Sequence, residues 1–319
     1  MNVLVILVNW KGWRDTLACV DSVLRHTPGS VHVAVCDNGS PDDSLQQLRA
    51  GWQAQGTAFA ECGPQSQVPA LSAHCRVLLV PVGANLGFAG GCNVGLRMGL
   101  QGDYTHLWLL NNDTVIDEQT LPALQARLAQ DPSIGICGST LIYHDHRDMV
   151  QAWGGATYEP SLGMGAHLGV GQHPSALPAQ QEVERQMAYV VGASMFVPRH
   201  FVEQIGLLRE DYFLYYEEID WAERARGRFK MAWAPDSRVF HKEGASIGSS
   251  HIHRPSDLSL HYLYRNRLRF TQRFHPDQVW SVRRRVLREV VSYLRRKDLG
   301  ACRIIARSLW HDLTEPVPT

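Results

Sequence analysis

No excess of one charge sign marks this 319-residue chain. Lys and Arg total 31 and Asp and Glu total 31, so no global field draws in nucleic acid and any electrostatic recognition is local. Cysteine pairs at C-x-x-C spacing are absent. The seven cysteines, Cys19, Cys36, Cys62, Cys75, Cys92, Cys137 and Cys302, are scattered and odd in number, which argues against a zinc site and for reduced thiols in a cytosolic compartment. The opening MNVLVILVNW is too short to span a bilayer and lacks the basic n-region and small-residue cleavage site of a secretory signal. There is no internal repeat and no G-x-G-x-x-G dinucleotide fingerprint. What is present, at 45% hydrophobic residues, buries a full core, and the length fits one large α/β domain with an appendage, or two domains.

Val3–Val8, Val31–Cys36, Val77–Pro81 and His106–Leu110 are short apolar runs ended by polar or turn-forming residues, the pattern of buried parallel strands. Asp15–His26, Asp42–Ala50 and Asn93–Leu100 carry helical spacing between them. Polar residues at the ends of such strands line the crevice where open parallel sheets bind ligands. Gln53–Cys75 reads as a surface excursion, Gly154–Gly171 as a glycine-rich stretch of little periodicity and His173–Gln181 as a Pro/Ala-rich loop. Val190–Val197 reads as a strand, Tyr216–Arg226 as a short amphipathic helix and Met231–Phe240 as a strand leading to His241. From Gln278 to Trp310 nine Arg or Lys stand against two acids. Val279, Val282, Val286, Val290 and Tyr293 share one helical face there. That face belongs either to a helix packed on the domain with a solvated basic side, or to a basic amphipathic helix resting on an anionic membrane.

Five local motifs follow in order, and a sixth closes the series. VILVNW ends in Asn9-Trp10, VAVCDNGSPDDS holds Asp37-Asn38, and NLGFAGGCNVG holds Asn85, Gly87, Phe88, Gly90, Gly91 and Asn93. WLLNNDTVI holds Asn111, Asn112 and Asp113, FLYYEEIDWAERAR holds Glu217, Glu218 and Asp220, and VFHKEGASIGS holds His241, Lys242 and Ser246. Each has an ordinary reading: a strand cap with a core tryptophan, an Asx-turn at Asp37, a glycine turn, a helix N-cap at Asp113 or Thr114, and an acidic first turn facing a helix dipole. Each also has a chemical one. A carboxylate such as Asp37 accepts from ribose hydroxyls or a base N–H. Glycines admit a ligand to the backbone. A carboxylate such as Asp113 can hold a divalent cation, and a neutral imidazole such as His241 is a good ligand for a divalent transition metal.

In this order the motifs resemble those of the family-two inverting nucleotide-sugar glycosyltransferases across residues 1–250, most of all the branch with bacterial rhamnosyltransferases and cell-surface polysaccharide enzymes. The resemblance implies an α/β chain with the Rossmann-like, mostly parallel central sheet of the A-type glycosyltransferase fold and a C-terminal helical extension. Residues 1–115 would form the nucleotide-sugar-binding half, 116–250 the acceptor-binding and catalytic half of the same domain, and 251–319 the basic extension. It implies a nucleotide sugar held among Asn9, Trp10, Asp37, Asn38, Asn85, Gly87, Phe88, Gly91, Asn93, Asn111, Asn112 and Asp113. A divalent cation, Mn2+ or Mg2+, would sit on Asp113 and His241, with Lys242 and Ser246 near phosphate. Glu218 takes the place of the catalytic base, with Glu217 as substitute and Asp220 as orienting group. Two positions depart from the family pattern: Asn111 replaces the first aspartate of the metal motif, and Glu218 replaces the usual aspartate base.

The Gln-x-x-Arg-Trp motif and membrane helices of the processive members are absent, which implies one addition per encounter. The expected donor is dTDP-L-rhamnose, then a UDP-hexose, and the expected acceptor a glycan or a lipid-linked glycan. Gly154–Gln181 and Tyr212–Tyr216 would shape the acceptor pocket. The expected location is cytoplasmic, with peripheral contact at the inner face of the plasma membrane through the basic extension. No nucleic acid partner is expected, and oligomeric state is not legible. A non-catalytic sugar-nucleotide or glycan-binding relative is the alternative, distinguished by its lack of turnover. A nucleotidyltransferase is disfavoured by the lack of a basic glycine-rich opening motif.

Overall fold

In the computed structural model, which describes residues 2–242 and 255–314, the continuous apolar runs become parallel strands. β1 (Val3–Asn9), β2 (Val31–Asp37), β3 (Phe59–Glu61), β4 (Val77–Pro81) and β5 (His106–Leu110) alternate with α1 (Trp13–His26), α2 (Ser44–Ala54) and α3 (Gly87–Gln101). Next come β6 (Thr114–Ile116), α4 (Thr120–Gln130), β7 (Ile134–Tyr143), β8 (Val150–Trp153), β9 (Gly155–Glu159), β10 (Met164–His167), α5 (Gln180–Gln186) and β11 (Tyr189–Val190). β12 (Ser194–Pro198), α6 (Arg199–Ile205), α7 (Glu217–Ala225) and β13 (Lys230–His241) complete the sheets, and α8 (Asp257–Phe274), α9 (Val279–Arg295) and α10 (Leu299–Thr314) follow.

The main sheet has ten strands in the order β3-β4-β2-β1-β5-β12-β7-β13-β6, with β8 pairing β7, and runs unbroken past residue 115. β12 and β6 enter antiparallel and β13 lies parallel to β7. The architecture is the expected Rossmann-like, mostly parallel α/β sheet with a helical C-terminal extension. Strand alternation sends Val3, Val5 and Leu7 to the layer of α1 and α2, and Leu4 and Ile6 to the layer of α3, as a strand covered on both faces requires.

Four sequence expectations change. α3 starts at Gly87 and not at Asn93, so the glycine-rich motif is the first turns of a helix. A Cβ at Gly91 would stand 2.8 Å from Val8, at Gly95 2.4 Å from Ile6 and at Gly99 2.3 Å from Leu107. The glycines therefore form the flat side on which α3 lies against β1 and β5. Gly154–Gly171 contains the antiparallel β9–β10 pair, closed by a turn at Gly163 (φ +66°), in a second sheet ordered β10-β9-β11. Val190–Val197 divides, with β11 in that small sheet and β12 in the large one, and the Gln53–Cys75 excursion carries the edge strand β3.

In the extension, Val282 and Val286 are buried and Val290 and Tyr293 pack beside them against α8 and α10. The opposite sides of α9 and α10 leave Trp280, Leu287, Leu294, Leu299 and Trp310 exposed. Among the described residues no helix is long and apolar enough to cross a membrane.

Candidate functional site

The C-terminal ends of β1, β2 and β5 lie side by side, and short polar side chains knit them together. Asn9 donates to Asp37 Oδ2 (2.7 Å) and accepts from the Thr16 hydroxyl (2.8 Å), which accepts in turn from Asn112 (2.8 Å). Asp37 also accepts from Ser40 N–H (3.1 Å) and from its hydroxyl (2.7 Å). Asp37 thus forms the expected turn and is also the hub of a buried network. Asn38 carries that network to the third motif: its Nδ2 donates to Gly87 O (2.9 Å) and Asn85 Oδ1 (3.1 Å), and its Oδ1 accepts from Leu86 N–H (3.1 Å). A polar network satisfied at each member is rigid. Trp10 lies half-buried at the rim with Lys11 Nζ 4.5 Å from its ring centre.

The close approach that the glycines permit is to protein. A Cβ at Gly87 (φ +72°) would stand 2.2 Å from Phe213 O, the carbonyl that accepts from Phe88 N–H at 2.7 Å. Asn93 is not brought together with the other candidates. Its Nδ2 donates to Leu208 O (2.8 Å) and Glu210 Oε1 (2.9 Å) and its Oδ1 accepts from Leu208 N–H (3.0 Å), so it ties α3 to the segment before α7.

β6 follows Asp113 directly, which removes the N-cap alternative. Pairing of His241 with Thr114 sets the imidazole beside the carboxylate. His241 Nε2 lies 3.2 Å from Asp113 Oδ1 and 3.3 Å from Asn111 Nδ2. Across the ring, Nδ1 is 2.8 Å from Oε1 of Gln151, a buried residue of β8. With Gln151 accepting from Nδ1, a protonated ring pairs through Nε2 with Asp113, and a neutral ring turns its Nε2 lone pair toward that carboxylate. Apart from that imidazole, Asp113 Oδ1 is buried without a partner. With the ring neutral, two buried acceptors face one another, an arrangement that a divalent cation reconciles.

Burial pushes the Asp113 carboxyl up, but the charge and hydrogen bond of a protonated His241, then the backbone N–H and the charge of Lys242, outweigh it and hold the group below the ordinary carboxylate value. No group of three or more His, Cys, Asp or Glu side chains stands ready for a metal among the described residues. The chain therefore offers Asp113 and His241, a donor set that suits a cation completing its shell with diphosphate and water oxygens. Lys242 ion-pairs with Asp15 of α1 and bonds through its N–H to Asp113 O (3.0 Å), so it braces the site. Ser246 lies outside the described residues.

Glu217, Glu218 and Asp220 occupy the first turn of α7, but their surroundings differ. Asp220 is fully buried and saturated: it accepts from Arg224 Nε (2.6 Å), the Tyr212 hydroxyl (3.1 Å) and Arg273 Nη1 (3.4 Å). It anchors the helix. Glu217 and Glu218 each keep a buried carboxyl oxygen, Oε2, without a partner. Burial, then the neighbouring Glu218 charge, pushes Glu217 well above its usual range. Glu218 is half-buried as a residue; burial of its carboxyl lifts it to about 7, against the pull of backbone N–H groups at the helix start. Such a pair holds one proton readily and yields the second near neutrality. Gln151 and Thr16, which complete this site, belong to no sequence motif; their only local signal is a polar residue within an apolar strand or helix face.

A family model described as glycosyltransferase like family 2 matches residues 1–292. The low-salt glycan biosynthesis hexosyltransferase Agl10 of Haloferax volcanii is 25% identical over 223 residues, covering 70% of this chain and 61% of that protein. The N-acetylglucosaminyl-diphospho-decaprenol L-rhamnosyltransferase of Mycobacterium tuberculosis is 27% identical over 247 residues, covering 71% of this chain and 72% of that protein. Among solved structures, GalNAc-T7 with UDP, GalNAc and Mn2+ superposes with a TM-score of 0.60 at 15% identity, over 85% of this chain and 48% of that one. The chain thus spans less than two thirds of the haloarchaeal relative and less than half of the GalNAc-T7 chain. The structural likeness establishes the fold as the A-type glycosyltransferase fold.

Proposed function

The chain belongs to the family-2-like glycosyltransferases, and we propose that it is an inverting, non-processive, divalent-cation-dependent hexosyltransferase. The donor we favour is dTDP-L-rhamnose, with a UDP-hexose next. The acceptor is a glycan or lipid-linked glycan of cell-surface polysaccharide synthesis, in keeping with the decaprenol-linked substrate in the name of the mycobacterial relative. Asn9, Asp37, Asn38 and Asn85 form the wall for the nucleoside, and Asp113 with His241 holds the cation. That cation, Mn2+ or Mg2+, supplies positive charge to the departing diphosphate.

The observation that carries the reading is the opposite tuning of two carboxylates, Asp113 held below and Glu218 lifted to about 7. Asp113 stays anionic, as a cation ligand must. Glu218 takes the proton of the acceptor hydroxyl as that oxygen bonds to the anomeric carbon and the bond to the diphosphate breaks on the opposite face. Glu217 keeps its proton and holds the pair at a single negative charge. A base near the working pH combines a large deprotonated fraction with useful proton affinity.

Exposed apolar side chains beside Arg284, Arg288, Arg295 and Arg303 on α9 and α10 support peripheral contact with the anionic inner face of the plasma membrane, where a lipid-linked acceptor is met. A thermal-shift screen of dTDP, UDP and GDP, each with and without Mn2+, tests the site, because a specific ligand raises stability by mass action. A shift with dTDP or UDP that requires Mn2+ supports the transferase reading. No shift with any nucleotide overturns it in favour of a glycan-binding relative.

A further inference from the structure

The backbone just before the carboxylate pair is held in rarely adopted conformations. Phe213 (φ +66°), Tyr215 (φ +66°) and Tyr216 (φ +76°) all have positive φ, although each is a bulky residue for which that region is disfavoured. Phe213, at ψ −54° and with Leu214 N–H bonded to Tyr212 O at 2.8 Å, forms the tight turn whose strain makes it rare. Local sequence does not favour such a segment, so something outside it determines its shape.

That something is α8, in the extension. Asn266 is fully buried there, and its Nδ2 lies within bonding distance of three carbonyls of the strained segment: Tyr212 O (2.8 Å), Leu214 O (2.7 Å) and Tyr215 O (3.1 Å). One helical turn on, Arg269 bonds to Asp211 O (2.9 Å), and a turn later Arg273 bonds to the Tyr212 hydroxyl (2.9 Å) and Asp211 Oδ2 (3.0 Å). The carbonyl that Asn266 leaves out, Phe213 O, points the other way and accepts from Phe88 N–H at 2.7 Å. The segment is therefore gripped on one side by α8 and on the other by the start of α3.

We infer that Asn266 is a positioning residue, which holds residues 212–216 in their strained path and thereby fixes Glu217 and Glu218 against the Gly87–Phe88 end of α3. The inference rests on the reading of Glu218 as base. The extension is then a working part of the site, because the amide that shapes the catalytic turn comes from α8. An amide is needed for its two N–H donors: aspartate has the same shape with none, leucine has neither donor nor acceptor, and glutamine carries the donors one methylene too far.

The test compares full-length wild type with Asn266→Asp, Asn266→Leu and Asn266→Gln, and with Glu218→Gln. Hydrogen exchange read by mass spectrometry needs no ligand. In Asn266→Leu the amides of residues 211–218 should exchange about tenfold faster or more, while β1, β2 and β5 keep their protection. Hydrolysis of dTDP-rhamnose or UDP-glucose, whichever the wild type accepts, should fall about 10²-fold in kcat with little change in KM. The acid limb of the pH profile should flatten, and Asn266→Gln should recover part of the rate. If Asn266→Leu does not fold, Asn266→Asp gives the same comparison. Unchanged exchange at 211–218 overturns the clamp. Faster exchange with kcat and acid limb as in the wild type overturns the positioning role. Full turnover in Glu218→Gln refutes the base assignment instead, whatever the exchange data show.

Discussion

Glu218→Gln keeps the volume of the side chain and removes its charge, and its two consequences have opposite signs. In the unfolded chain this carboxyl loses its proton near 4.5, and in the folded protein burial delays the loss to about 7. Folding is therefore unpenalised by Glu218 below pH 4.5, loses stability progressively as pH rises toward 7, and above 7 carries the full cost of an anion in a buried place. A shift of that size corresponds to at most about 3 kcal/mol. Glutamine never ionises, so the variant should match the wild type in urea unfolding at pH 4.5 and exceed it at pH 8 by up to about 3 kcal/mol. Over the same pH range, turnover should fall by about 10²–10⁴-fold, the usual worth of a general base, while Mn2+-dependent nucleotide binding persists. A carboxylate with a purely structural role would lose stability on substitution and gain none. The reasoning is refuted by a stability difference that is the same at both pH values, or by turnover within a few-fold of wild type.

Asp113→Ala should weaken Mn2+-dependent dTDP or UDP binding by about tenfold or more, the worth of one charge-assisted contact; calorimetric affinity equal to wild type would remove Asp113 from the metal site. Gln151→Leu, which deletes the acceptor that fixes the His241 tautomer, should lower Mn2+ affinity by about 10–100-fold, as loss of a supporting bond to a ligating histidine does. Paramagnetic resonance titration of Mn2+ with dTDP present reads this directly, and an unshifted titration argues that His241 is held by other means. Replacing Arg284, Arg288 and Arg295 together by Ala should reduce binding to phosphatidylglycerol vesicles by about 10²-fold, at about 1 kcal/mol per charge, with donor hydrolysis unaffected. Sedimentation equal to wild type would leave α9 with a packing role only.

The parallel strands were legible because burial on both faces leaves an unmistakable trace: a run such as VLVILV has no polar side to alternate with. The glycine motif was misread as a turn for an equally physical reason. Gly87, Gly90, Gly91, Gly95 and Gly99 lower helix propensity one by one, and only the sheet beneath α3 shows that their missing side chains make room for Val8, Ile6 and Leu107. The β9–β10 pair escaped because five- and four-residue strands carry too few alternations to register. At the site, motifs located the polar residues but not the direction of each side chain. Asn93 and Asp220 sit within motifs beside their neighbours, yet one bonds to the Leu208–Glu210 segment and the other to Arg224 and Arg273. Direction depends on contacts far along the chain, and so Gln151 and Asn266, which act through partners 90 and about 50 residues away, had no local signal.

The contrast between Asp113 and Glu218 is what would let one site support both proposed roles. Both carboxyls are buried, and burial alone would raise both and leave two neutral acids. The difference lies in what faces them. Asp113 meets a protonated His241, its own backbone N–H and Lys242, which together reverse the effect of burial. Glu218 meets Glu217 and the phenols of Tyr189 and Tyr216, which give an anion no cationic partner. Arg224, six residues beyond Glu218 on α7, and Arg273, on α8, both pair with Asp220. If either arginine reached Glu218 instead, the carboxyl would fall to its ordinary range and be too weak a base to draw a hydroxyl proton. If Glu218 is the base, Asp220 serves it by keeping the arginines away, and Asp220→Asn should lower the pH at which turnover begins, as the released guanidinium groups stabilise the Glu218 anion. An unchanged acid limb in that variant would mean that Arg224 remains fixed by the Ile205 and Leu207 carbonyls and Arg273 by Tyr212 and Asp211, and that the tuning of Glu218 is due to burial alone.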